Sequence, residues 1–187
     1  MASTRRDHLV DTALQLFQRH GYHATGIDRI LAEAGVAKMT LYNHFKSKDE
    51  LILAALRRRD EQFRNAFMRN VERRAKDPRA RLLACFDVLA EWFAESGFSG
   101  CSFINAAGEF AAPDDPIHAA CGENKRLSLA YVRDLAEQAG AADAQGLADG
   151  LMLLMEGAIV MAHVAGDPQA AQKAKRAAEV LVADALA

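Results

Sequence analysis

The side chains able to do bond-making or ligand chemistry are few and scattered. Cys101, in the stretch SGFSGCSFINAAGEF, stands just before a predicted helix, where a thiol is more easily ionised. That placement permits a redox- or electrophile-responsive thiol, but a passive buried cysteine is the more ordinary reading. Asp114, His118 and Cys121 fall at i, i+4 and i+7, a spacing that permits a metal ion. Asp114 would serve as well at the nearby helix start, and we assign no metal and no cofactor. Asn105, Glu109, Glu156 and His163 each sit among apolar neighbours, and a buried polar group needs a partner, either a ligand or another side chain. As acid/base groups, Glu109, Glu156 and His163 would make a helical enzyme, but no catalytic motif accompanies them. Trp92, Phe93, Phe103, Phe110, Tyr131, Met152 and Met155 line a ligand cavity or fill a plain core.

Charge points elsewhere. The net charge of −2 hides an asymmetry: residues 1–76 carry 15 Lys and Arg against 9 Asp and Glu, and residues 77–187 carry 8 against 16. A basic first part on an acidic remainder implies that only the N-terminal part meets a polyanion. The alternative for Arg57–Arg59 and Arg73–Arg74 is a solvated helix face.

The elements that must position these residues are helices. The 187 residues are 51% apolar and 26% charged, ordinary for a folded domain, with 38 alanines against 4 prolines. A chain of this length buries enough surface to need neither metal nor disulfide. Cys85, Cys101 and Cys121 are odd in number and form no CxxC, which fits a reducing compartment. The opening MASTRRDH runs straight into an amphipathic pattern with no apolar leader, and Leu147–Val164 is interrupted by Asp149 and Glu156, a poor membrane span. A cytoplasmic location without membrane partners is the expectation. Asp-Pro at 77–78, 115–116 and 167–168 reads three times as a helix start. Thr4…Asp7, Thr25…Asp28 and Ser47…Glu50 have capping-box spacing, and Gly21, Gly35, Gly140 and Gly166 mark stops. About nine helices follow, near 4–20, 26–33, 37–44, 48–75, 78–95, 102–111, 116–139, 143–165 and 168–186, with no strands: an all-α fold.

The informative stretch is TGIDRILAEAGVAKMTLYNHFKSKDEL, residues 25–51. Ile27, Ile30 and Leu31 give one short helix an apolar face, Ala34-Gly35-Val36 makes a turn, and Val36, Leu41 and Phe45 anchor a second. Two short helices joined by a glycine turn describe a helix-turn-helix, whose second helix enters the major groove of DNA. The segment resembles the DNA-binding domain of the tetracycline-repressor (TetR) family of transcriptional regulators. Gly21-Tyr22, Ala24-Thr25, Ile30, Ala34-Gly35-Val36, Thr40-Leu41-Tyr42, His44-Phe45, Lys46, Lys48 and Glu50-Leu51 carry the resemblance, over roughly residues 4–56.

The resemblance implies residues 1–47 as the DNA-binding domain and 48–187 as the ligand-binding and dimerisation domain, with helix 48–75 connecting them. It implies a homodimer on palindromic double-stranded operator DNA, acting as a repressor released by a small-molecule effector. Thr25 is placed to hold a phosphate through its hydroxyl and backbone N–H. Thr40, Tyr42, His44, Lys46 and Lys48 match the family's backbone-contacting set, and Lys38, Met39 and Asn43 its base-reading positions. Lys can donate to guanine, Asn can pair with adenine, and Met offers a thymine methyl apolar contact. Ala37 stands where serine is frequent and Met39 where glycine is common. Tyr42 should reach out and Phe45 should be core. A dimer would use the last two helices: Gly146, Gly150 and Gly157 on one, Ala171, Ala174, Ala178, Leu181 and Ala185 on the other, two stripes of small residues suited to close packing. Close packing within one chain is the alternative. The competing function is a thiol-based regulator using Cys101.

Overall fold

The computed structural model describes residues 4–187. They form nine helices: α1 (Arg5–His20), α2 (Ile27–Ala34), α3 (Lys38–Tyr42), α4 (Lys48–Arg74), α5 (Pro78–Phe93), α6 (Ser102–Glu109), α7 (Pro116–Gln138), α8 (Ala144–Val164) and α9 (Ala170–Ala185). Among the described residues there is no strand, as composition implied.

Local chemistry sets most of the boundaries. Thr4 and Asp7 close a reciprocal capping box at α1, and Arg58 pairs with the Asp7 carboxylate. Asp77 accepts from the Ala80 N–H at 2.9 Å ahead of Pro78, as the Asp-Pro reading requires. At Asp167 the same dipeptide makes only a turn: its carboxylate accepts from Gln169 N at 3.0 Å, and α9 starts at Ala170. The Thr25…Asp28 cap does not form, since Gly26 is the N-cap of α2 and supplies no side-chain bond. The third helix ends at Tyr42, two residues earlier than expected.

The chain divides into two compact units. The first comprises residues through Gln62 together with Ser102–Asn124. Its core joins Leu9, Val10, Ala13 and Phe17 of α1 to Ile30, Leu41, Phe45, Leu51, Ile52 and Leu56, and Tyr22 stacks on Phe17 at 5.1 Å. Each large apolar side chain buried this way contributes roughly 1.5–3 kcal/mol. The second unit comprises Phe63–Cys101 and Lys125–Ala187. There α9 packs on α8 and α5, and Ala171, Ala178 and Val182 of α9, Leu147, Leu151 and Met155 of α8, and Phe86 and Leu89 of α5 are buried. Lys175 pairs with Asp87 at 2.8 Å, joining α9 to α5.

By length and composition α8 is apolar enough to cross a membrane, despite Asp149 and Glu156. Its apolarity has another source, because it carries two apolar faces. Leu147, Leu151, Met155, Ala158 and Ile159 turn inward, while Leu153, Val160, Met161 and Val164 are exposed.

Candidate functional site

The turn between α2 and α3 is built by Gly35, which takes the left-handed conformation (φ 63°, ψ 34°) that other residues resist. The Val36 N–H reaches back to Leu31 O at 3.2 Å and closes the end of α2. Leu41 and Phe45 are buried, so they fix α3 from one side, and the opposite side is left outward. That outer face presents Lys38, Met39 (70% exposed), Tyr42 (46% exposed) and Asn43, neighbours at helical spacing. Phe45 is core and Tyr42 projects, as expected. His44 and Lys46 are exposed and Thr40 is half-buried. Ala37 caps α3 without a side-chain bond. Beside this face the Arg6 guanidinium lies 5.2 Å over the Phe45 ring. The face therefore offers an ammonium, an amide, a phenol and an apolar thioether, a set able to meet base edges and phosphate.

Two expected contacts are differently engaged. Thr25 is fully buried, and its hydroxyl donates to Gly21 O at 2.7 Å and lies 3.4 Å from Leu16 O. This corrects the phosphate role assigned to that hydroxyl; only the backbone of this turn can serve an anion. Lys48 is half-buried, and its ammonium donates to His23 O at 3.2 Å.

Glu109 and Phe110, named as effector-lining residues, are engaged with the turn after α1. The Glu109 carboxylate accepts the N–H groups of Tyr22 (2.8 Å) and His23 (2.6 Å), and Phe110 packs on the His23 ring at 4.6 Å. Phe103 is buried and Asn105 half-buried in the same unit. Sequence reading singled out Glu109 but not its partners, because those are backbone groups, which leave no residue pattern.

The remaining effector candidates lie in the second unit, with Met155 buried and Met152 half-buried. An aromatic run links Phe67, Phe63, Trp92, Phe98 and His163, with centroids 6.1, 4.5, 5.0 and 6.0 Å apart in turn, and Phe93 stands 5.0 Å from Phe98. Phe67 also meets Tyr131 at 6.5 Å. The Tyr131 hydroxyl is buried without a hydrogen-bond partner, and burial raises its pKa, with Cys85 and Glu72 adding to the effect. Glu156 is satisfied by Lys125, whose ammonium lies 2.9 and 2.8 Å from the two carboxylate oxygens and 3.4 Å from the Cys101 sulfur. Burial works against the Lys125 charge, but Cys101 and Glu156 outweigh it and hold the ammonium's pKa above its usual value. Lys125 was missed because a lysine in GENKRLSLAY reads as solvated. Burial pushes the Cys85 thiol up to about 12, which makes it inert. The one-face spacing of Asp114, His118 and Cys121 is lost, since Asp114 precedes α7, His118 Nδ1 lies 2.8 Å from Phe110 O, and Cys121 is buried. Among the described residues no cluster of metal-ligating side chains occurs.

The dimer candidates divide as well. Ala171 and Ala178 are buried inside their own chain, which corrects their assignment to an interface, while Ala174 and Ala185 are half-buried. A Cβ at Gly150 would touch Leu181 of the same chain at 3.2 Å, and one at Gly146 would strike its own helix cap, Asp143. Gly157 faces open space. It belongs to the stripe Leu153, Gly157, Val160 and Val164, which with Val180 and Leu181 of α9 forms an exposed apolar patch. Large apolar groups left outward, rather than the small ones, mark this surface.

Comparison with known proteins agrees with this geometry. Residues 9–55 match the family of bacterial regulatory proteins named tetR, and residues 78–178 match the tetracyclin repressor-like C-terminal domain. A TetR-family transcriptional regulator of Streptomyces coelicolor, SCO4454, superimposes with a TM-score of 0.90 at 31% identity, covering 98% of this chain and 96% of that one. The transcriptional activator FasR of Mycolicibacterium smegmatis is 40% identical over 88 residues, 47% of this chain and 40% of FasR's length. The transcriptional repressor NemR of Escherichia coli is 25% identical over 133 residues, 71% of this chain and 67% of NemR. A crystal structure of its reduced form gives a TM-score of 0.85 at 22% identity over 94% of this chain and 95% of that one. With an outward recognition helix on the fold that these regulators share, the chain belongs to the TetR family of transcriptional regulators and carries a DNA-binding helix-turn-helix.

Proposed function

We propose that the chain acts in the cytoplasm as a homodimeric repressor on an inverted-repeat operator, and that a small molecule held in the second unit releases it. The observation that carries this reading is the outward face of α3, where Lys38, Met39, Tyr42 and Asn43 stand free of the core. One five-residue helix reads few base pairs. Two copies on a two-fold axis, one helical turn of DNA or a multiple of it apart, read a palindrome and combine their binding energies. The apolar patch on α8 and α9 supplies a surface for that pairing. Repression is preferred to activation because the named repressor NemR matches more of this chain than the named activator FasR does. The aromatic run and the unpartnered Tyr131 hydroxyl offer an effector an apolar bed with one donor. The effector acts by population shift, so it must bind the DNA-released dimer more tightly than the DNA-bound one. Selection from random duplexes tests the reading: the purified chain should enrich an inverted repeat, and enrichment of unrelated or single half-sites would reject a dimeric operator complex.

A second reading has one observation in its favour, the Lys125 ammonium 3.4 Å from the Cys101 sulfur. In it the signal is chemical modification of the thiol, and DNA binding is unchanged in kind. Cys101→Ser should then bind DNA normally but ignore thiol-reactive electrophiles. An unaltered response in that variant eliminates the thiol reading and leaves the non-covalent one.

A further inference from the structure

The turn between α1 and α2 is held only in part from within, by the Thr25 hydroxyl on Gly21 O. Its consecutive N–H groups, Tyr22 and His23, both point at the carboxylate of Glu109, eighty-odd residues away in sequence and at the end of α6. Two charge-assisted bonds to one carboxylate make a strong and directional hold. The rest of the contact is equally specific. The His23 ring nitrogen Nε2 lies 3.0 Å from Glu109 O, the Tyr22 hydroxyl donates to Ser102 O at 3.0 Å, and Gln18 donates to Ser102 Oγ at 3.2 Å. Both ends of α6 are therefore fastened to α1 and its following turn. Gly21 has φ +83°, and a Cβ there would stand 3.0 Å from Glu109 Oε1, so the carboxylate occupies the space a side chain would need.

What this turn positions belongs to the DNA interface. It leads through the buried Thr25 into Gly26, the N-cap of α2, where no side chain satisfies the first N–H groups. From its other side His23 O receives the Lys48 ammonium. The carboxylate thus holds the N–H of the same residue whose carbonyl places one of the candidate phosphate contacts. A helix start with open N–H groups and a placed ammonium are two features that fix a protein on a phosphate backbone.

We propose that Glu109 is a positioning residue of the DNA interface, although it lies far outside residues 9–55, the stretch that matches the family's N-terminal part. The DNA-binding head is then discontinuous in sequence, and α6 is part of it. Glu109 touches no DNA; it sets the turn that sets α2 and Lys48.

The test uses the full chain and a duplex selected as above. Three measurements are made on wild type, Glu109→Ala, Glu109→Gln and Gly21→Ala: amide exchange at Tyr22 and His23, duplex affinity, and the slope of log affinity against log salt. Glu109→Ala should speed exchange at both amides, weaken the duplex roughly tenfold, and flatten the salt slope by about one phosphate contact. Glu109→Gln, with a single acceptor oxygen, should fall between. Gly21→Ala crowds the carboxylate and also strains the turn's own backbone at φ +83°, so it should speed exchange at both amides with Glu109 intact. Faster exchange with unchanged affinity and slope would show that Glu109 merely packs α6, and unchanged exchange would show that the turn holds without it; either overturns the proposal. Should Glu109→Ala not fold, Glu109→Gln decides by the same readouts.

Discussion

Leu153 is 76% exposed in the single chain and begins the apolar stripe on α8. If that stripe is where two copies meet, Leu153→Asp should break the dimer without unfolding the protomer, because the side chain has no part in the protomer's core. Fully burying a leucine is worth about 1.5–3 kcal/mol. With three quarters of the side chain still to be covered, each copy forfeits about 1–2 kcal/mol, and the symmetric pair about 2–4 kcal/mol. At 1.4 kcal/mol per decade this weakens the dimer roughly 30- to 1,000-fold, before any cost of desolvating the two new carboxylates. Sedimentation velocity over a concentration series reads the constant directly, with helicity and melting temperature as the check on folding. Ala119→Asp, an exposed position on α7, is the control for added charge. Because two half-sites must be held together, the same variant should also lose operator affinity while retaining weak nonspecific binding. A dimer constant for Leu153→Asp equal to that of the control would refute the assignment of this stripe.

Three further outcomes follow from local geometry. Gly35→Ala and Gly100→Ala both place a side chain at positive φ, but the first meets open space and the second would set a Cβ 2.7 Å from the His163 ring. Thermal unfolding should show about 1–2 kcal/mol lost at Gly35 and more at Gly100, with His163→Ala returning only the excess at Gly100. The Asp7 carboxyl is held below its usual range, first by the Thr4 hydroxyl and also by Arg58. A folded pKa below the unfolded one adds stability above the unfolded value and loses it as pH falls through the folded one. The melting difference between wild type and Asp7→Asn should therefore be present at neutral pH and shrink below about pH 4. For the Lys125–Glu156 pair, each about a quarter to a third exposed, Lys125→Met should destabilise by more than the double variant Lys125→Met/Glu156→Leu, since the single change strands a charge and the double does not. Chemical denaturation of the set gives the ordering; equal losses would mean that solvent already screens the pair.

Helices were legible because their ends are written in short-range chemistry. Asp77-Pro78, the Thr4…Asp7 box and Gly35 each act within a turn of their own position, and each does what its residue type predicts. Thr25 shows where that logic fails: a threonine before a helix reads as a cap, but its hydroxyl turns back to Gly21 O, four residues earlier. The outward face of α3 was legible because Leu41 and Phe45 declare the inward one. The partners of Glu109 and the engagement of Lys125 were not. Glu109 serves backbone N–H groups far away in sequence, and Lys125 is a charge whose partner sits on a different helix. The small-residue stripes on α8 and α9 do not by themselves mark a surface between two copies. Small residues mark close approach of any kind, and here Ala171, Ala178 and Gly150 are used up within the chain, while Leu153, Val160 and Val164 remain outside.

The central claim is that sequence is read by the exposed face of α3. Its most direct test is the ratio of affinities for the selected duplex and a scrambled one at fixed salt, in wild type and in Lys38→Ala/Asn43→Ala. The wild-type ratio should be on the order of a thousand or more. The double variant should fold and dimerise normally, keep its hold on scrambled DNA within a few-fold, and lose most of the ratio, since each lost base contact is worth about 1–3 kcal/mol of discrimination. A ratio that survives both substitutions would contradict the account, because the reading would then be done elsewhere on the molecule.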